Sequence, residues 1–167
     1  MKREKPDFDA VYIMLSFIIG RDDANLITQG FFGNSNSLSM CSAFGIEHPY
    51  KVVPNDSNSL DDCASVHVLA LDSKIEGYRG YIVSSNGADG MKWESVNEIV
   101  ARRFPEAVKD GLLSNDKTIG SFISRCDTSE TKQAFGFQHA AFGDAMVPVV
   151  KHYLELLDRE SGKDWRH

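Results

Sequence analysis

Apolar residues near the start of the chain follow one another without polar alternation. The stretch "FDAVYIML", residues 8–15, is rich in Val, Ile, Tyr and Phe. An unalternated apolar run of this length is typical of a parallel strand that is covered on both faces. Gly20 and the charged residues Arg21, Asp22 and Asp23 follow the run and end it. The pattern therefore predicts a buried strand at the beginning of an α/β fold.

The next segments predict two more strands and a helix. Residues 50–53 form a short strand closed by Pro54, and "GYRGYIVSSNG" is a strand that ends in turn residues. The segment "NSLDDCASVHVLALD" predicts a helix with Ser59 as its N-cap. Its expected buried face carries Leu60, Cys63, Ala64, His67, Val68 and Leu71.

Four further helices are predicted. A short one around Leu38 stops at Gly45, and "KWESVNEIVARRFP" is amphipathic and should end at Pro105. Thr128 or Ser129 caps a short helix that Gly136 terminates. The final helix covers about residues 142–157, where an internal proline should kink it or mark its true first turn.

Composition limits the class of protein. The chain has 167 residues, 42% of them hydrophobic, which predicts one globular domain over 1–167 with a frayed tail after about residue 160. A net charge of −6 without basic runs argues against nucleic acid as a partner. The apolar run is too short to span a membrane. Three cysteines in unpaired positions favour a reduced, cytoplasmic location, and their spacing encodes no metal site.

Four segments, taken in order, resemble the C-terminal half of the extended short-chain dehydrogenase/reductases. The similar branch contains NADPH-dependent carbonyl reductases such as the dihydroflavonol-reductase-like and methylglyoxal-reductase-like enzymes. "KPDFDAVYIMLSFIIG" resembles the sixth Rossmann strand of that branch, and "SLDDCASVHVLALD" its helix with Asp62, Ala64 and His67 in register. "GYIVSSNG" and "CDTSETKQAFGF" resemble its penultimate strand and the segment after it. The resemblance implies a truncated Rossmann-derived fold, a small sheet with several helices.

The chain departs from that family at its redox motifs. The sequence contains neither a Gly-x-x-Gly-x-x-Gly turn after a first strand nor a Tyr-x-x-x-Lys pair. Such a glycine-rich turn lets the backbone approach a pyrophosphate at a helix N-terminus. The sequence therefore predicts a substrate-side half without the nucleotide-binding half, and no bound cofactor or metal.

Candidate site residues lie near the end of the first strand and in the family's pocket segments. The catalytic candidates are weak: Ser16, Asp22 and His67, of which Asp22 is more simply a residue of a solvated turn and His67 more simply a core histidine. Apolar walls with a few polar groups are what a small-molecule pocket needs. The predicted substrate-binding residues are Phe17, Phe31, Phe32, Asn36, Met40, Phe44 and Tyr81, which could equally pack a core.

Three functions remain open. The preferred hypothesis is a cofactor-independent enzyme of the isomerase, cyclase or pericyclase type, or a binding module, for an apolar small molecule of natural-product biosynthesis. The alternatives are a split or degenerate NADPH-dependent carbonyl reductase that needs a separate nucleotide-binding chain, and a non-catalytic interaction protein. An apolar edge strand without its family neighbours also predicts a two-fold homodimer.

The missing glycine-rich turn generates the first testable prediction. We expect the purified chain alone not to bind NADPH, because it has no backbone cradle for the pyrophosphate. Titration followed by nicotinamide fluorescence measures this. Saturable binding in the micromolar range would contradict it.

Overall fold

A computed structural model describes residues 8–85 and 90–162. Its strands are β1 (Val11–Leu15), β2 (Phe17–Ile19), β3 (Val52–Pro54), β4 (Ser57–Ser59), β5 (Arg79–Val83) and β6 (Gly120–Phe122). Its helices are α1 (Asn36–Ala43), α2 (Leu60–Leu69), α3 (Val96–Arg103), α4 (Pro105–Lys109), α5 (Ser129–Phe135) and α6 (Phe142–Ser161). Two 3-10 helices, Thr28–Gly33 and Trp93–Ser95, precede α1 and α3.

All the described strands pair in parallel. β1 pairs with β5, with Val11 opposite Arg79 and Leu15 opposite Val83. β2 pairs with β4, and β3 with β6. Ser16 links β1 to β2, and its N–H donates to the Val83 carbonyl at 3.1 Å. Because parallel strands end at the same edge of a sheet, the ends of β2 and β4 lie side by side.

Two apolar clusters hold these pairs. The larger one joins β2, α1, α3 and α6 around the fully buried Trp93. The smaller one covers one face of the β1–β5 pair: Val66 of α2 and Phe135 of α5 pack with Tyr81 and Val83, and Val11 and Ile13 are partly buried against them. The opposite face of β1 carries Tyr12 and Met14, which are exposed.

The structure confirms most of the predicted elements and their capping. The Ser59 Oγ accepts a hydrogen bond from the Asp62 N–H at 3.0 Å, as expected of an N-cap. Gly136 ends α5 with a left-handed φ of 65°, a conformation that glycine adopts without strain. The strand expected over residues 8–15 is observed as β1 and continues as β2.

Three expectations were wrong in detail. Pro105 does not merely end a helix but begins α4, since a first-turn proline loses no hydrogen bond. α6 continues through Pro148 to Ser161, beyond its predicted end at about residue 157. The tail predicted after about residue 160 falls mostly on residues 163–167, which lie outside the described part. Helix α2 buries Asp62, Cys63 and Val66, whereas Leu60, Val68 and Leu71 of the predicted buried face are exposed.

A helix that crosses a bilayer must be both long and apolar. None of those within residues 8–85 and 90–162 is both long and apolar enough to cross a bilayer.

Adjacent phenylalanines give a matched test of the larger cluster. Phe31 is fully buried and contacts the rings of His152 and Tyr153, whereas Phe32 is 40% exposed. We expect Phe31→Ala to lower the free energy of unfolding by about 3–5 kcal/mol, because it leaves a cavity in a packed core. Phe32→Ala is the control and should cost much less. Equal losses in urea unfolding would contradict this account of the core.

Candidate functional site

A crevice lies at the carboxyl ends of β2 and β4. It consists of two cavities, of about 460 and 240 Å³, which share Gly20, Arg21 and Leu60 in their linings. The larger cavity extends over the first turn of α2 towards the start of α6, and the smaller one towards Asn34 and Asn36. Ligands in open α/β sheets bind outside the carboxyl ends of the strands, so this crevice is the candidate site.

Asn36 fixes the backbone at the floor of the crevice. Its side chain is buried, its Oδ1 accepts from the Gly20 N–H at 3.1 Å, and its Nδ2 donates to the Gly20 carbonyl at 2.9 Å. Ser35 Oγ donates to the carbonyl of Ile18 in β2. The start of α1 is thereby tied to the end of β2. The buried polar groups of both segments are satisfied by each other.

Charged groups give the crevice an acidic rim. Arg21 contacts Asp23 at 2.7 Å and Glu155 at 2.8 Å, and these two carboxylates raise the pKa of its guanidinium. Asp61 and Asp62 lie in the first turn of α2, beside the same cavity. The Arg21 guanidinium is already paired with two carboxylates, and the other charged side chains of the rim are negative. These residues do not fit the pyrophosphate of a nicotinamide nucleotide.

Asp22 is held in place at the same rim. Its Oδ2 accepts from Asn25 Nδ2 at 2.5 Å and from Asn34 Nδ2 at 3.1 Å. Asp22, Arg21, Asn34 and Asn36 together line the smaller cavity. The structure therefore brings two of the predicted site residues, Asp22 and Asn36, to one place.

Ser16 lies between the strands instead. Its hydroxyl is 2.9 Å from Asn58 Oδ1 and 3.1 Å from the Val83 carbonyl, where it ties β1–β2 to its neighbours.

Most of the predicted substrate-binding residues lie outside the crevice. Phe31 and Met40 are fully buried in the larger cluster, and Tyr81 packs edge-on against Phe135 in the smaller one. Phe17 is partly buried with its ring edge towards Trp93. Phe44 lies between Phe32 and Tyr153, with ring centroids 5.7 and 3.9 Å away. Their roles in binding remain predictions, and the fold gives Phe31 and Met40 a packing role.

The histidines were misjudged from the sequence. His67 is exposed on α2, with Nδ1 2.7 Å from the Cys63 carbonyl, and is not a core residue. His139, in a loop, and His152, on α6, have buried side chains. The local sequence around His139 and His152 gives no sign of burial, because the elements that cover these side chains are distant in the chain.

His139 contributes a buried imidazole next to the crevice. Its Nδ1 lies 3.8 Å from Asp62 Oδ2, which accepts from the Ala140 N–H at 2.8 Å. Neither ring nitrogen of His139 has a hydrogen-bond partner among the described residues. Burial lowers its pKa, and the Asp62 carboxylate opposes this only in part. The neutral imidazole is therefore the form that the fold favours.

Another cavity, of about 390 Å³, lies away from the strand ends. Its walls come from α3, α4 and the end of α6, and include Phe104, Leu112, Leu154 and Leu157. Within residues 8–85 and 90–162, no group of three or more His, Cys, Asp or Glu side chains could hold a metal ion.

Parallel strand pairs covered by helices, with a crevice at the strand ends, define a Rossmann-like α/β fold. The chain is 38% identical to ketoreductase CTB6 of Cercospora beticola and of Cercospora nicotianae, in alignments that cover 97% of this chain. The same alignments cover 46% of each relative, so the chain spans about half the length of the curated relatives that it matches. The resemblance to half of an extended short-chain dehydrogenase/reductase is confirmed. No family model matches the chain.

Solved reductases share this fold. Gre2 of Candida albicans superposes with a TM-score of 0.65 at 15% identity, over 93% of this chain and 47% of its own. The yeast methylglyoxal/isovaleraldehyde reductase Gre2, solved with NADPH, gives a TM-score of 0.61 at 16% identity, over 90% of this chain and 48% of its own. At such identity the likeness shows the fold, which confirms the predicted fold class.

The two buried histidines generate a prediction of pH dependence. Burial lowers the pKa of both His139 and His152 below the ordinary value of 6.5, so the unfolded chain binds more protons than the folded one below that pH. The stability they contribute is present above 6.5 and is lost as the pH falls through that value. We expect the free energy of unfolding to fall between about pH 7 and 5, by at most about 1.4 kcal/mol per pH unit for each histidine.

Urea unfolding at several pH values across that range measures the slope of the free energy of unfolding against pH. His139→Gln and His152→Gln should each flatten it, whereas Gln138→Ala, a change of an exposed uncharged neighbour, should leave it unaltered. Unaltered slopes in both buried variants would contradict the assignment.

Proposed function

We propose that this chain forms the substrate-side half of a carbonyl reductase site, which becomes active when a nucleotide-binding unit completes it. The observation that carries the proposal is the 38% identity to two ketoreductases along nearly the whole chain. Identity at this level over β1 to α6 includes the segments around the crevice. It favours a reductase over the cofactor-independent isomerase or cyclase that the absent motifs suggested.

The charges and apolar walls of the crevice support binding of the substrate by this chain and of the nucleotide by the other unit. The rim of the crevice is acidic and its one arginine is already paired, so a polyphosphate would be repelled. The larger cavity has apolar walls from Ile19, Leu60, Ala145 and Pro148. Such a lining suits a neutral, largely apolar carbonyl compound. The nicotinamide nucleotide would be held by the other unit.

A cofactor-independent enzyme is the second candidate, and the acidic rim favours it. Asp22, Asp61 and Asp62 line the crevice, and a carboxylate there could act as a general base. In that case turnover of an apolar substrate would occur with this chain alone. A reductase half would show none.

Co-expression tests the proposal. We expect the chain, co-expressed with the unmatched part of the Cercospora beticola ketoreductase, to oxidise NADPH in the presence of a panel of aryl and alkyl ketones and isovaleraldehyde. Each part alone should be inactive. Asn36→Leu, which removes both hydrogen bonds to Gly20, should reduce this activity by roughly tenfold or more because the crevice floor loses its geometry.

Ser37→Ala, a neighbouring change on α1 outside both crevice cavities, is the matched control for that variant. A complex that binds NADPH but reduces none of these carbonyl compounds would overturn the proposed reaction. Conversion of an apolar ketone without any nucleotide would support the second candidate instead.

A further inference from the structure

The cavity of about 390 Å³ between α4 and the end of α6 lies apart from the crevice and is not used by the proposed function. Its walls are mainly apolar, and they are formed by Phe104, Pro105, Ala107, Leu112, Leu154 and Leu157. A concave site of this size with apolar walls is typical of sites that bind small molecules. The charged groups around it therefore decide which class of molecule it suits.

The walls of this cavity are anchored by hydrogen bonds and core packing. Gly111 follows α4 with a left-handed φ of 71°, which turns the chain back towards the helix. The N–H groups of Leu112 and Leu113 both donate to the Ala107 carbonyl, at 2.9 and 3.2 Å. Leu113 is fully buried in the larger cluster, and Leu154 of the facing wall is buried there too. Because both walls are fixed by the fold, the cavity exists before any ligand binds.

The rim of this cavity carries an excess of carboxylates. Its charged lining residues are Glu106, Asp110, Asp158 and Arg103. The Arg103 guanidinium lies 2.7 Å from the Asp144 carboxylate, which offsets its positive charge. Lys109 lies 3.6 Å from Glu106, but both side chains are more than three quarters exposed, so this contact is weak. The rim therefore attracts a positively charged group and repels an anion.

We propose that this cavity is a binding site for a small alkyl or arylalkyl amine. The hydrocarbon part of the amine lies between α4 and α6, where the apolar walls remove it from water. The ammonium group lies at the carboxylates of the rim, and the aromatic ring of Phe104 in the wall favours a cation further. The site is separate from the crevice, so the proposal does not depend on the proposed function.

Three probes that share a hydrocarbon part and differ in charge test the ligand class: phenylbutylamine, phenylbutanol and phenylbutanoate. Each is titrated into the full chain, and binding is followed by NMR of isotope-labelled leucine methyl groups. We expect saturable shifts at Leu112, Leu154 and Leu157, which line the cavity, and none at Leu60 in the crevice. The amine should bind roughly fivefold or more tightly than the alcohol, and the carboxylate more weakly than both.

Paired substitutions test the role of the rim carboxylates. Glu106→Gln combined with Asp110→Asn should reduce the affinity for the amine roughly fivefold or more and leave that for the alcohol within about twofold. The matched control, Glu98→Gln combined with Asp116→Asn, removes the same charge outside the cavity and should leave both affinities unaltered. All four side chains are exposed, so the fold should tolerate these changes, and circular dichroism checks it.

Other outcomes overturn the proposal. Equal affinities for the amine and the alcohol, or no saturable binding of any probe, would refute the ligand class. Equal loss of amine binding in both paired variants would show only a general attraction of cations by a chain of net charge −6. Self-association of the chain that is abolished by Leu112→Lys, but not by Leu71→Lys at an exposed position outside the cavity, would assign the cavity to a second copy of this chain.

Discussion

Parallel pairing of the first strand determines where everything else in this structure lies. β1 bonds to β5 and its continuation β2 bonds to β4, so the strand ends and the N-terminus of α2 meet at one edge. Parallel strands need helices to connect them and layers to cover them. α2 and α5 cover one face of β1, and the larger apolar cluster lies beyond β2. Among the described residues no layer covers the other face of β1, where Tyr12 and Met14 are exposed.

The crevice follows from that arrangement. Strand ends expose backbone groups that the sheet no longer uses, and here Asn36 satisfies those of Gly20 with two hydrogen bonds. The polar side chains that line the crevice are mostly carboxylates and amides. Their charge argues against a polyphosphate ligand, and the apolar patches between them suit a neutral one. A half-site that binds substrate and leaves the nucleotide to another unit agrees with both facts and with the similarity to ketoreductases.

Burial of histidines shows how little local pattern reveals about polar core residues. His139 follows Gly136, Phe137 and Gln138 in a loop, yet it is buried beside Asp62 and the Phe137 ring. His152 lies on α6 one turn from charged residues, yet its ring packs against Phe31. Conversely, Leu60 and Val68 of α2 belong to the predicted core face and are exposed. In each case the neighbouring elements determine burial, and these neighbours are distant in sequence.

The sequence by itself determined the element types, the caps at Ser59 and Gly136, the α/β class and the resemblance to half of a reductase, because capping and hydrophobic period are local properties. It also placed Asp22 after the end of the first strand, and the resemblance named Asn36 as a pocket residue. Only the tertiary structure decided that Phe31 and Met40 pack the core, that His67 is exposed and that Asn36 holds Gly20. The short strands β4 and β6 also appeared only there, since three-residue strands have no periodicity and exist through their partners. The physical reason is common to all of these: which face of an element is buried depends on the layer packed against it, and that layer is contributed by residues far away in the chain.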